Sequence, residues 1–112
     1  MNGATATVNV GIGTPNPHSR LHVVGSYATS FTPMTANLTL NATHHVVYRT
    51  GGTITLPSPA SCTGRVYIIV NRNTTAASIS PYADFAGFIQ NTILPNSSIT
   101  IISNGTDWLR IQ

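Results

Sequence analysis

Short runs of apolar and β-branched residues recur along the chain and predict β-strands. In several of them apolar and polar residues alternate, which is the period of a strand with one buried face. No window of ten residues shows the 3.6-residue period of a helix, so the sequence predicts an all-β fold. The predicted strands are residues 5–10, 20–24, 37–41, 45–49, 53–56, 65–71, 76–80, 98–103 and 107–112.

Two turns separate neighbouring runs and predict hairpins. Thr50-Gly51-Gly52 lies between residues 45–49 and 53–56, and Asn104-Gly105-Thr106 lies between the last two runs. Glycine and asparagine favour the tight turns of hairpins. From about Asn37 onward the strands recur about every ten residues, which indicates a small antiparallel β-sandwich or barrel-like domain.

The distribution of glycine and proline divides the chain into three parts. Residues 1–25 are rich in both and predict an extended attachment segment. Residues 26–36 are interpreted as a linker strand with a turn at Thr32-Pro33. Residues 37–112 form the predicted knob domain.

Some predicted strands are apolar on both faces, notably residues 66–70 and 99–102. A two-layer sandwich covers only one face of each sheet, and soluble monomers rarely expose large apolar patches. The second face of these strands therefore predicts a homotrimer, in which three chains close about one axis.

The amino-acid composition excludes several classes of protein. Of the 112 residues 6% are charged, lysine and glutamate are absent, and Thr, Ser and Asn together supply 37 positions. Such a surface is typical of extracellular or virion β-proteins. The five arginines are scattered, whereas nucleic-acid binding needs a basic cluster. No apolar run approaches the roughly 20 residues of a membrane span, and no Sec-type signal is visible.

Residues 9–25, Asn-Val-Gly-Ile-Gly-Thr-Pro-Asn-Pro-His-Ser-Arg-Leu-His-Val-Val-Gly, form the most specific motif. The segment resembles the N-V-G-I-G-T-x-x-P-x-x-x-L-H-V-x-G signature of phage tail fibres, tail spikes and related bacterial surface proteins, with an additional proline at position 15. The residues assigned to attachment on this basis are Gly11, Ile12, Gly13, Leu21 and Val23.

Most of residues 53–110 resembles, more loosely, the small β-domains at the ends of such fibres. The shared segments are I-T-L-P from Ile54, G-R-V-Y from Gly64, N-R-N from Asn71, and S-N-G-T-D-W from Ser103. The resemblance implies a homotrimeric, non-catalytic module on the virion surface, whose partners are its own copies and other virion proteins.

The position of such a module on the particle stays open. The resemblance favours a fibre tip that contacts the host. The length favours a capsid-decorating (cement) protein or a short head fibre, if Met1 is the native start. The alternative from another class is a carbohydrate-binding or adhesin module of a bacterial surface protein.

The few candidates for catalysis are weak. Asp84 and Asp107 are the only carboxylates, and each falls in a predicted loop or turn. Cys62 lies in a turn-like stretch and is interpreted as a small, partly buried loop residue rather than a nucleophile. We therefore expect no hydrolase activity, and no cofactor is predicted.

Histidine gives no metal site within one chain. His44 and His45 are adjacent, so on a strand they face opposite sides. Structural or surface roles are expected for both, and for His18 and His22. One histidine from each of three chains could still meet on a trimer axis.

One aromatic stretch is a candidate receptor site. Tyr82, Asp84, Phe85 and Phe88 lie close together in the sequence, and aromatic faces beside a carboxylate suit binding of a host surface glycan. The competing interpretation, which we favour, is that Phe85 and Phe88 plug the end of the sandwich or a subunit interface. Trp108 is expected in the core or an interface.

Overall fold

The structure is a computed structural model that describes residues 8–112. Among these residues there is no α-helix, and one 3₁₀ turn lies at Pro59–Ser61. The all-β prediction is confirmed. The strands are β1 (Val10–Ile12), β2 (Leu21–Val23), β3 (Phe31–Met34), β4 (Leu38–Thr39), β5 (Val46–Arg49), β6 (Ile54–Thr55), β7 (Val66–Asn71), β8 (Ala77–Ala83), β9 (Ile89–Ile93), β10 (Ser97–Ser103) and β11 (Trp108–Arg110).

Nine strands form one nearly closed, barrel-like sheet in the order β3-β5-β7-β10-β11-β8-β6-β4, with β9 beside β8. From β3 to β8 the chain alternates between two sides. Strands β3, β5 and β7 are parallel neighbours on one side, and β4, β6 and β8 are parallel neighbours on the other. The chain therefore winds as a flattened coil, which β10 and β11 close.

This winding corrects the antiparallel prediction. The turn at Asn104–Thr106 does join a hairpin, with Ser103 opposite Trp108. The turn at residues 50–52, in contrast, is a corner between the two sides. Its backbone groups are bonded elsewhere, since Thr50 N donates to Met34 O and Arg49 Nε donates to Gly52 O. Strands β5 and β6 therefore cannot exchange hydrogen bonds as a hairpin requires.

The sheet also differs from the prediction at strands β3 and β9. Strand β3 lies inside the predicted linker and replaces the turn expected at Thr32-Pro33. It is an edge strand, where proline is tolerated because no neighbour needs its missing N–H. Its last residue, Met34, is buried in the core. Strand β9 was missed.

The core lies between the two sides of the coil. Inward positions alternate along β7 and β10, where Tyr67, Ile69 and Ile101 are fully buried. Trp108 packs against the Tyr67 ring and donates from Nε1 to the carbonyl of Pro57. Cys62 is a buried free thiol at the edge of this core, so its predicted structural role fits its position.

Strands β1 and β2 form a separate, parallel two-stranded sheet. The loop between them is tight. A Cβ at Gly11 would collide with the carbonyl of Thr14, and one at Gly13, whose φ is +78°, would lie 2.8 Å from the carbonyl of Val24. Glycine is therefore required at both positions. Of the strand predicted at residues 5–10, residues 5–7 lie outside the described residues, and Val10 begins β1.

The corner at Gly52 gives the first prediction. Its φ is +92°, and a Cβ would collide with the backbone of Ala36 on the preceding turn of the coil. Gly64 has a similar φ of +87° but open space around it. We expect Gly64→Ala to lower the free energy of unfolding by about 1–2 kcal/mol, the cost of a left-handed conformation, and Gly52→Ala to lower it by more. Denaturant unfolding of both variants measures the difference; equal losses would contradict the close approach at Gly52.

Candidate interaction surfaces

The barrel-like sheet has two outer faces of opposite character. On the side formed by β3, β5, β7, β10 and β11, the outward side chains are apolar, or polar but uncharged. Ile68 lies at its centre, between Val46 of β5 and Thr100 of β10. We call this side the apolar face. Its members are Phe31, Pro33, Val46, Tyr48, Val66, Ile68, Val70, Ser98, Thr100, Ile102, Leu109 and Ile111.

No member of the apolar face carries a charge. Most of its side chains are half-buried by one another, while Phe31 and Ile111 at its borders are more than half exposed. The rings of Phe31 and Tyr48 pack at 5.9 Å. The prediction that these strands are apolar on both sides agrees with this arrangement.

Many of the outward side chains on the other side are small and polar, while Ile89 at the start of β9 is a large apolar exception that is 66% exposed. Thr39 lies opposite Thr55, and Ser78 lies opposite Thr92, and all four are exposed. We call this side the hydroxyl face. Hydroxyl side chains suit contact with water, so the chain distinguishes a face built for solvent from one that is not.

A groove of about 280 Å³ opens between β9 and strands β10 and β11. Its walls combine a carboxylate, a guanidinium, an amide and hydroxyl groups over an apolar floor. The lining residues are Tyr82, Asp84, Gln90, Thr92, Leu94, Ser97, Ile99 and Arg110. Two of the four predicted receptor residues, Tyr82 and Asp84, line it; Gln90 and Arg110 were not predicted, and no sequence motif marks them.

Tyr82 forms part of the floor and is buried. Its hydroxyl donates to the carbonyl of Thr92 at 2.8 Å, which fixes β9 against β8. Burial raises the pKa of the Tyr82 phenol, with Arg110 acting in the opposite direction. The phenol therefore remains a donor at neutral pH, and Tyr82 offers no free ring face to a ligand.

Asp84 holds the turn between β8 and β9. Its Oδ1 accepts from the backbone N–H groups of Ala86 and Phe88, and its Oδ2 accepts from Gln90 Nε2 at 2.8 Å. Both carboxylate oxygens are therefore engaged by this chain. The turn exposes the rings of Phe85 and Phe88, each 69% accessible. Within the single chain these rings do not plug the end of the sandwich; their burial in a subunit interface, the other half of the favoured interpretation, stays a prediction.

Arg110 stands at the opposite wall of the groove. Its guanidinium carbon lies 4.8 Å from the centre of the Phe85 ring, a cation–π arrangement. Nε donates to the carbonyl of Gln112, and the two terminal amino groups make no hydrogen bond within residues 8–112. The groove thus holds two amino groups of Arg110 that no described residue accepts from, while both oxygens of Asp84 already accept hydrogen bonds within the chain.

The Asp84 turn gives a pH prediction. The hydrogen bond from Gln90, together with the N–H groups of Phe88 and Ala86, holds the pKa of Asp84 below its usual value. A depressed pKa stabilises the fold above the unfolded-state value and loses that contribution as pH falls through the folded one. We expect the amide NMR signals of Ala86 and Phe88 to shift together below about pH 4. In Asp84→Asn this step should vanish; its persistence would assign it to another group.

The other candidate groups do not assemble into a site. Asp107 is exposed in the β10–β11 turn, away from the groove lining. His44 Nδ1 accepts from Asn41 N, and His45 Nδ1 contacts the carbonyl of Val66 at 2.9 Å. Within residues 8–112 no three His, Cys, Asp or Glu side chains lie together as metal ligands would.

The β1–β2 sheet forms a second, wider cavity of about 670 Å³ with the segment that follows it. Ile12, Leu21 and Val23 of the predicted attachment residues line it, beside Tyr27. Of these, Ile12, Leu21 and Tyr27 are more than half exposed. This small sheet therefore presents an apolar surface of its own.

No family model, curated protein or solved structure matches the chain. None of the described residues belongs to a helix long and apolar enough to cross a membrane. The two outer faces and the groove are therefore the features of the molecule that bear on function.

Proposed function

We propose that this chain is a non-enzymatic structural module of a phage virion surface that functions as a homotrimer. The observation that carries the proposal is the contrast between the apolar face and the hydroxyl face. The hydroxyl face carries exposed threonine and serine side chains, which suit contact with water. The apolar face carries mainly apolar side chains, which do not.

The apolar face is large enough to be a contact surface. Its strands β3, β5, β7, β10 and β11 have 4, 4, 6, 7 and 3 residues, and at about 3.3 Å per residue and about 4.8 Å between strands they cover on the order of 400 Å². The largest apolar patch of a typical soluble monomer measures roughly 300–600 Å², and such patches often have a function. Neither lysine nor glutamate is available to guard it, so burial against equivalent faces is the simplest way to cover it.

Copies of the same chain are the proposed occupants because the face is uncharged throughout. An uncharged surface has no like charges to repel its own copy. Closed rotational symmetry ends assembly at a defined number of subunits, whereas an open contact would continue into fibres. Three subunits about one axis, the number implied by the phage-fibre resemblance, accommodate a flat sheet face from each chain.

The test of this assembly is mass in solution. Size-exclusion chromatography with light scattering should give three times 11.8 kDa. Obligate interfaces are large and apolar, so an obligate trimer should persist on dilution into the nanomolar range. A folded species of single-chain mass would overturn the proposal.

We propose further that residues 1–25 attach the module to the particle, as a capsid decoration or as part of a fibre tip. Support comes from the separate pairing of β1 with β2 and from the exposed side chains of Ile12 and Leu21. Apolar side chains of this kind suit contact with another virion protein.

Deleting residues 1–25 is expected to leave the nine-stranded sheet folded and to abolish incorporation into particles. Within the part of the chain that the structure describes, residues 8–112, strand β1 pairs only with β2, so no described ladder of the larger sheet is cut. Circular dichroism and thermal unfolding report the fold, and co-purification with particles reports incorporation. Loss of the β-fold in the deletion variant, or undiminished incorporation, would each contradict this division.

A carbohydrate-binding module is the second candidate function. The observation that favours it is the groove beside the exposed rings of Phe85 and Phe88. Exposed rings next to hydrogen-bonding groups suit a sugar, whose C–H face packs on an aromatic ring. The two proposals are compatible, because the groove residues Asp84, Gln90 and Thr92 do not belong to the apolar face.

A further inference from the structure

We propose that the groove between β9 and strands β10 and β11 binds a carboxylate-bearing saccharide, with Arg110 as the carboxylate ligand and Phe85 as the stacking platform. This inference deepens the carbohydrate-binding candidate and rests on it. It does not depend on the homotrimer.

The first argument is the balance of hydrogen-bonding groups. An arginine side chain has five N–H donors, and Arg110 uses only the one on Nε within residues 8–112. Asp84 is the only carboxylate of the groove lining, and its oxygens accept from Ala86, Phe88 and Gln90. No residue among 8–112 accepts a hydrogen bond from the two terminal amino groups of Arg110, so a ligand carboxylate can take the place of water on them.

The second argument is the preparation of Arg110 for a planar anion. Its guanidinium carbon lies 4.8 Å from the centre of the Phe85 ring, which restricts the side chain. A guanidinium held in this way offers two parallel N–H groups to a carboxylate, the geometry that distinguishes arginine from lysine. Restricting the side chain before binding also lowers the entropy lost on association.

The third argument identifies the remainder of the ligand as a sugar. Arg110 covers one side of the Phe85 ring, and the rest of this ring and the ring of Phe88 in the same turn are exposed. The groove walls add the Gln90 amide, whose Nε2 already donates to Asp84, and the hydroxyls of Thr92 and Ser97. A pyranose matches this combination, because it has an apolar C–H face and a rim of hydroxyl groups. A simple carboxylic acid would leave the rings and the hydroxyls unused.

The experiment is an NMR titration of the full chain with three probes: methyl glucuronoside, methyl glucoside and acetate. We expect the uronate to bind at least tenfold more tightly than either other probe, with the largest shifts at Arg110 Nε–H and the Gln90 amide. Raising the salt concentration should weaken the uronate complex and leave the glucoside unaffected.

Variants assign the contacts. Arg110→Gln should reduce uronate affinity at least tenfold, whereas Arg72→Gln, which removes the same charge from an exposed site outside the groove, should not change it. Phe85→Leu keeps an apolar side chain but removes the ring, and should weaken both sugars without affecting acetate. An unchanged thermal unfolding midpoint confirms that each variant is folded.

Several outcomes would overturn the inference. Equal binding of uronate and glucoside removes the role of the carboxylate, and equal binding of uronate and acetate removes the sugar. No binding of the uronate removes the site altogether. A trimer that binds no uronate leaves the structural proposal intact, and a monomer that binds it does the reverse, so the two failures are distinguishable.

Discussion

Replacing Ile68 by glutamate is expected to split the proposed trimer into folded single chains. Ile68 lies at the centre of the apolar face, flanked by Val46 and Thr100 on the neighbouring strands. In the trimer its side chain would be covered by another subunit, where an unpaired carboxylate loses several kcal/mol of solvation. In a single chain the same carboxylate points outward into water, so the fold should survive.

The matched control is Ser78→Glu. Ser78 is an exposed strand residue on the hydroxyl face. Its replacement by glutamate therefore introduces the same charge on a strand, but outside the proposed interface. Light scattering should report 11.8 kDa for the Ile68 variant and three times that mass for the control. Circular dichroism should show equal β-content in both. A trimeric Ile68→Glu would move the interface elsewhere on the molecule.

The sequence predicts where most strands lie better than it predicts which strands pair. Residues 65–71 form a strand as predicted, but their side chains are apolar on both faces, and only the structure shows that Tyr67 and Ile69 face inward. Alternation does not encode the partner, because an inward face looks the same in a hairpin and in a parallel coil. The Thr50–Gly52 corner therefore reads as a hairpin turn, and only the bonds to Met34 and from Arg49 show otherwise.

Strands β3 and β9 differ from the prediction for two separate physical reasons. Pro33 in β3 favours a turn when read locally, and its position at the sheet edge makes it acceptable as a strand. Strand β9 carries Gln90, Asn91 and Thr92 between two isoleucines and exposes most of its length, so it has too little alternation to be recognised. Its place in the sheet depends on the tertiary bond from Tyr82 to Thr92.

The sequence likewise predicts only part of the candidate site. Tyr82, Asp84, Phe85 and Phe88 are neighbours in sequence and were found as an aromatic stretch beside a carboxylate. Arg110 joins them only because β11 runs parallel to β8, with Leu109 opposite Ala83. A contact that arises from the closure of the sheet leaves no trace in the local sequence.

The sequence also did not predict a buried network of polar side chains around Asn71. Asn71 is the last residue of β7 and is completely inaccessible to solvent. Its Oδ1 accepts from Arg49 at 2.7 Å, and its Nδ2 lies within hydrogen-bonding distance of the carbonyls of Thr75, Ile93 and Leu94. Arg49 is itself buried and is further held by Gly52. One amide thus links the β5 corner, the β7–β8 loop and the end of β9.

Asn71→Ala is expected to cost about 3–5 kcal/mol of unfolding free energy. The variant leaves the Arg49 guanidinium with one fewer buried partner and leaves three carbonyls without their shared donor. Buried groups that lose their partners cannot recover the lost bonds from water. Since small domains are stable by roughly 5–15 kcal/mol, this single change removes a large share of the total.

Asn91→Ala is the matched control for this loss. Asn91 is exposed on β9, and its side chain forms no hydrogen bond within residues 8–112. Surface changes of this type alter stability by about 0.5 kcal/mol or less. Urea unfolding of the two variants at equal subunit concentration separates the effects, because it holds the assembly contribution constant. If Asn71→Ala unfolds at the same urea concentration as Asn91→Ala, the network is not what joins the corner to β9, and the stability of that end of the sheet must come from apolar packing of Ile93 alone.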